Sequence, residues 1–117
     1  MMEIRVREGG SICILNLEGR LDLASGTALK EKVKEMFNKN KTSIHLNLEK
    51  VEFINSSGLG TLVSLMKEAR IRKGRLTLSN LASYVQEIFE ITQLSHIFEL
   101  FPTEDEALNS YNSVSVS

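Results

Sequence analysis

Several things are scarce in this sequence, and each scarcity excludes something. Cys13 is the only cysteine among 117 residues. No intramolecular disulfide can form, which agrees with a reducing compartment. No apolar run approaches the roughly 20 residues needed to cross a bilayer. The start Met1-Met2-Glu3-Ile4-Arg5 lacks a basic segment followed by an apolar signal core. Neither sign of charge dominates: 14 basic residues stand against 15 acidic ones, for a formal net charge of −1. No global field therefore draws the chain onto nucleic acid or an anionic membrane. The expectations are a cytoplasmic protein with no direct nucleic-acid partner and no membrane contact. Histidine is scarce as well. His45 and His96 are the only two, and no His, Cys and carboxylate spacing suggests a metal site or a cofactor.

What is present is periodicity. At 42% hydrophobic and 25% charged residues, the chain can bury one continuous core and is too short for two ordinary domains. Ile4 and Val6, then Ile12, Ile14, Leu15 and Leu17, flank Gly9-Gly10, a pair suited to a hairpin turn. Leu29, Val33, Met36 and Phe37 recur at helical spacing, giving a helix from near Ser25 to Lys39. Ile44, Leu46 and Leu48 alternate with His45, Asn47 and Glu49, so this strand has one core face and one more polar face. Leu59, Leu62, Val63 and Met66 begin a second helix, with Gly74 placed to end it as a left-handed cap. Leu76-Thr77-Leu78 reads as a short strand, and Leu81, Val85, Ile88 and Phe89 as a third helix. His96 to Phe101 reads as a last strand. Thr103-Glu104-Asp105-Glu106 has the pattern of a capping box that starts a final helix through Leu108 and Tyr111. The predicted fold is α/β: a single mixed sheet of four to five strands with about four helices packed on it. The domain is expected to span residues 1–111, leaving 112–117 as a flexible tail.

The turn Asn55-Ser56-Ser57-Gly58-Leu59-Gly60 lies between a buried strand and an amphipathic helix. Serine there is first of all an N-cap, because its oxygen accepts a hydrogen bond from an unpaired N–H. The cap does not explain Gly58 and Gly60, each costing about 1 kcal/mol against alanine in a helix. Bare positions at a helix start let another backbone or a phosphate come close, so both glycines are assigned to clearance for a partner.

The segment from Leu46 to Gly60 resembles the signature of the STAS domain of bacterial anti-sigma-factor antagonists, where the usual form is Asp-Ser-Ser/Ala-Gly-Leu-Gly. Gly19-Arg20-Leu21-Asp22 is similar to that family's Gly-x-Leu-Asp turn. Ile88 to Leu94, followed by Phe98, resembles its C-terminal helix-strand segment. The resemblance implies a partner-switching module with no catalytic residues of its own. Unphosphorylated, such a protein binds an anti-sigma factor that is also a serine kinase, and so releases the sigma factor. Phosphorylation ends the binding, and a metal-dependent serine phosphatase restores it. The family's phosphoacceptor position is Ser56 here. Asp22, Asn55, Ser56, Ser57, Gly58, Leu59 and Gly60 fall on its partner surface. Asn55 is the departure, since it keeps one carbonyl acceptor of the customary aspartate and loses the charge.

Two other readings compete. One keeps the fold as a scaffold or sensor component of a larger signalling complex. Such components usually carry extra domains, so the free antagonist is expected. The other is a small enzyme or phosphate-ligand binder. No lysine follows Gly58 or Gly60 at P-loop spacing, and His45, His96 and Cys13 read as packing or surface residues rather than catalysts.

Overall fold

The computed structural model describes residues 2–114, with side chains through residue 112. Strands β1 (Met2–Gly9) and β2 (Ile12–Leu21) form the opening hairpin. Helix α1 (Leu23–Asn38) leads to β3 (Ser43–Ile54), and α2 (Ser56–Ile71) to β4 (Arg75–Ser79). Helix α3 (Ser83–Ile91) and a 3-10 turn, Leu94–His96, precede β5 (Glu99–Phe101) and α4 (Glu104–Val114). The strands lie in sequence order, β1 antiparallel to β2 and the rest parallel. The expected mixed sheet with four helices is therefore present.

Right-handed crossovers between parallel strands put α1, α2 and α3 on one face of the sheet. Leu15, Leu46 and Leu78 are register neighbours across three strands and are completely buried on that face. Val33, Phe37, Leu62, Leu65, Val85 and Phe89 close over them. Burial of these side chains, about 1.5–3 kcal/mol each relative to exposure, is the main term holding the helices down.

The opposite face is polar, yet it too is covered. His45, Asn47, Thr77 and Ser79 are buried there under α4. Tyr111 of α4 donates its hydroxyl hydrogen to the Ile44 carbonyl at 3.0 Å. Its contact with Thr77 Oγ1 at 2.9 Å must then have threonine as donor. Thr77 Oγ1 in turn accepts from His45 Nδ1 at 2.8 Å, which leaves His45 Nε2 to accept from Ser79 Oγ at 2.7 Å. The relay fixes the neutral Nδ1–H tautomer, and burial pushes the His45 pKa down to about 4. Glu104, at the start of α4, adds a bidentate pair with Arg7 of β1 at 2.7 Å and accepts from Asn47 at 3.0 Å.

Several local expectations are corrected. Helix α1 starts at Leu23 rather than near Ser25, because Asp22 is its N-cap. Helix α2 starts three residues before Leu59, at Ser56. Its end is not a left-handed glycine: Lys73 takes the positive φ, at 61°. Gly74 is bare because a Cβ there would run into the Thr42 carbonyl. His96 belongs to the 3-10 turn, so the last strand begins at Glu99. The backbone of α4 continues through Val114, past Tyr111, and 115–117 of the expected tail lie outside the described residues. Thr103 does form the expected box, accepting from the Glu106 N–H and donating to its carboxylate, each at 3.2 Å.

Candidate functional site

The parallel pairing of β2 and β3 ends with Leu21 opposite Ile54, so the chain leaves both strands at one edge of the sheet. Helices α1 and α2 therefore begin side by side. Asn55 N–H donates to the Leu21 carbonyl at 3.3 Å, tying the two exits together. One turn further on, a Cβ on Gly26 would stand 2.6 Å from Thr61 Oγ1, so glycine lets α1 and α2 pack closely.

Each helix carries a different cap. At α1 the Asp22 carboxylate accepts from Ser25 N at 3.2 Å and from Ser25 Oγ at 3.0 Å. Ser25 Oγ also accepts from Asp22 N, completing a capping box. Hydrogen bonds from the Ser25 backbone and side chain hold the Asp22 pKa below the usual carboxylate range. Ser25 is thus the third helical residue rather than the cap. At α2 the cap is Asn55, whose Oδ1 accepts from Gly58 N at 2.9 Å. This corrects the assignment of a serine to that role. Capping needs only an acceptor oxygen, so asparagine serves where a carboxylate would.

With the cap supplied by Asn55, Ser56 and Ser57 become the first two residues of α2, and both are exposed. Among the described residues neither hydroxyl has a hydrogen-bond partner. Leu59 turns inward against the core. Gly58 is buried, and a Cβ there would strike the Leu21 carbonyl. Its bareness therefore serves the packing of α2 on β2, not clearance for a partner. Gly60 is the reverse: it is exposed, with nothing within 4 Å of where a Cβ would stand.

Around the turn, Arg20 lies over the Phe53 ring, 3.8 Å from guanidinium carbon to ring centroid. Leu23, in the first turn of α1, is 69% exposed. The chemistry offered is that of an accessible alcohol on a rigid frame. Both nitrogens of His45 are committed to the relay under α4, and no metal-binding cluster exists among the described residues. No helix among them is long and apolar enough to cross a membrane.

Comparison with known proteins agrees with this frame. Residues 3–107 match the family model described as the STAS domain. An anti-sigma-B factor antagonist of Listeria monocytogenes is 31% identical over 112 residues, covering 96% of each chain. A Thermotoga maritima crystal structure, of a candidate anti-sigma factor antagonist, superposes with a TM-score of 0.87 at 26% identity over 92% of each chain. The phosphorylated form of the Bacillus cell fate determinant SpoIIAA shares the fold, with a TM-score of 0.73 at 23% identity, covering 93% of this chain and 99% of that one. The chain belongs to the STAS domain family.

Proposed function

We propose that this protein is a cytoplasmic anti-sigma factor antagonist that works by partner switching. With Ser56 unmodified it binds a serine-kinase anti-sigma factor, and the sigma factor is freed. The kinase transfers the γ-phosphoryl group of ATP to Ser56 Oγ, the hydroxyl proton passes to the kinase's base, and ADP leaves. Binding then ends until a serine phosphatase hydrolyses the phosphate. The observation that carries this reading is the Ser56 hydroxyl itself: exposed, unpartnered, and first in a helix whose position is fixed by the Asn55 cap and the Gly58–Leu21 contact. The names of the similar proteins support it.

The physical consequence of the phosphate follows from its place. A charge of about −1.5 to −2 beside a helix N-terminus is favoured by the macrodipole and by free N–H groups. Phosphorylation therefore leaves the fold intact and acts at the partner surface, which comprises Asp22, Asn55, Ser56, Ser57 and Gly60 with Gly58 and Leu59 beneath. The test is incubation with the serine-kinase anti-sigma factors of the same genome and ATP, followed by intact mass and site mapping. One phosphate on Ser56, loss of the complex on its addition, and a melting temperature unchanged within a few degrees are expected. A stable complex without phosphate would reject the switch. Neither complex nor phosphate would overturn the antagonist reading and return the chain to the scaffold one.

A further inference from the structure

Strand β1 is an outer edge of the sheet, paired only with β2 among the described residues. Its hairpin closes through Gly10-Ser11, with Gly10 at a positive φ of 67° and Gly9 opposite Ile12. A two-residue turn makes its flanking residues a hydrogen-bonded pair, and such pairs alternate along an antiparallel ladder. Gly9, Arg7, Arg5 and Glu3 therefore direct their backbone groups to β2. Glu8, Val6, Ile4 and Met2 direct theirs outward, along an open edge that another strand can extend.

The side chains select the strand that fits. Arg7 is held by Glu104 and Asn16, and Glu8 by Lys41 at 2.6 Å, so the charges near the turn are matched within the chain. Glu3 and Arg5 are matched less well: they share one exposed contact at 3.4 Å, and Glu3 stands opposite Glu18 of β2. A two-fold axis through Ile4 sets an antiparallel second copy with Ile4 opposite Ile4, Met2 opposite Val6 and Glu3 opposite Arg5. Neighbouring registers bring like charges together. An axis at Glu3 opposes glutamate to glutamate, one at Arg5 opposes arginine to arginine, and one at Val6 opposes Arg5 to Arg7, each destabilising. Registers between these set outward groups against inward ones and make no ladder. On the helix side of β1, Met2 and Ile4 pack on the core and Val6 is 41% exposed, so its apolar row continues into that of the second copy.

We infer that β1 is a self-pairing edge: two copies of this chain join antiparallel about Ile4, fusing two five-stranded sheets into one. The seam comprises about six backbone hydrogen bonds and a Glu3–Arg5 ion pair on each side of the axis. A ladder this short is a small interface, so the dimer forms in a concentration-dependent way. The axis stands perpendicular to the sheet and reverses the strands of the second copy. The ends of β2 and β3 that lead to Asp22 and Ser56 therefore lie on opposite edges of the joined sheet, and pairing covers neither turn.

Sedimentation velocity of the full chain from micromolar to millimolar concentration tests this. The wild type should pass from monomer to dimer. Arg5→Glu alone and Glu3→Arg alone each set like charges opposite one another on both sides of the axis, and each should weaken self-association by about tenfold or more. An equimolar mixture of the two variants should regain the dimer, because each supplies the charge that the other lacks. So should the double exchange, Glu3→Arg with Arg5→Glu. Both side chains are exposed, and melting curves identify any variant that fails to fold. Amide exchange gives a second readout. The N–H groups of Ile4 and Val6 should gain protection as concentration rises, while those of Glu3 and Arg5, already directed to β2, should not change. A chain that stays monomeric throughout the range overturns the inference. A dimer indifferent to the charge variants lies at another surface and overturns it as well. A mixture that remains monomeric overturns the register about Ile4.

Discussion

The carbonyl oxygen of the Asn55 side chain accepts the backbone N–H of Gly58 at 2.9 Å, and this bond sets where α2 begins. It frees both serines from structural duty and leaves Ser56 presented to solvent. Asn55→Ala should cost about 1 kcal/mol, the usual worth of an N-cap, measured by urea unfolding. Asn55→Asp keeps the acceptor and adds a charge suited to the macrodipole, so stability should rise by about 0.3–1 kcal/mol.

The two glycines of the turn should respond oppositely to alanine. At Gly58 the new methyl meets the Leu21 carbonyl, which cannot move without disturbing β2. A loss of about 1–3 kcal/mol is expected, as for overpacked cores. At Gly60 the methyl meets nothing, so Gly60→Ala should gain up to about 1 kcal/mol from helix propensity. A destabilised Gly60→Ala would contradict the open geometry.

His45 makes stability depend on pH in a defined window. Its folded pKa, about 4, lies below the ordinary value of 6.5. Between those values the unfolded chain binds the proton and the folded one does not, so stability is full above pH 6.5 and falls as pH drops toward 4. Full development of this effect corresponds to about 3 kcal/mol. Below pH 4 the histidine contributes no further slope. Asp22 and Glu104 then take over: their pKa values are lowered, so their contributions are lost on further acidification. Urea titrations from pH 7 to 4 should show this slope, and a flat profile would exclude the neutral buried imidazole.

Tyr111 closes the relay that holds α4 on the sheet. Tyr111→Phe removes the hydrogen bond to the Ile44 carbonyl and the acceptor for the Thr77 hydroxyl hydrogen, leaving Thr77 Oγ1 only its bond from His45 Nδ1. Buried unsatisfied groups cost about 1–3 kcal/mol, so destabilisation of that order is expected. Amide exchange should rise first in α4, while α1 and α2 stay protected. Uniform loss of protection would mean that α4 does not open separately.

The residues that were legible in advance are those whose roles depend on local pattern. The periodicity of Leu29, Val33 and Phe37, the alternation of Ile44, Leu46 and Leu48, and the Thr103 to Glu106 box each encode an element within a few residues of chain. The serine-glycine turn was visible for the same reason. Helix starts were harder to place, because Asp22 and Ser25, or Asn55 and Ser57, offer equivalent acceptor chemistry and only backbone geometry selects one. The polar side of β3 looked merely less apolar in sequence. Burial of His45 follows from α4 folding back across three strands, a long-range event that strand alternation does not carry.

By itself, then, the sequence determined the order of strands and helices and put an accessible serine at a strand-to-helix turn, since both follow from spacing and capping chemistry. Tertiary structure decided what each bare position is for. Gly58 and Gly60 are two residues apart and identical in composition. One faces the Leu21 carbonyl and the other faces solvent, because a helix turns its side chains through about 200°, slightly more than a half circle, over two residues. That difference assigns the first glycine to the fold and leaves the second open to solvent.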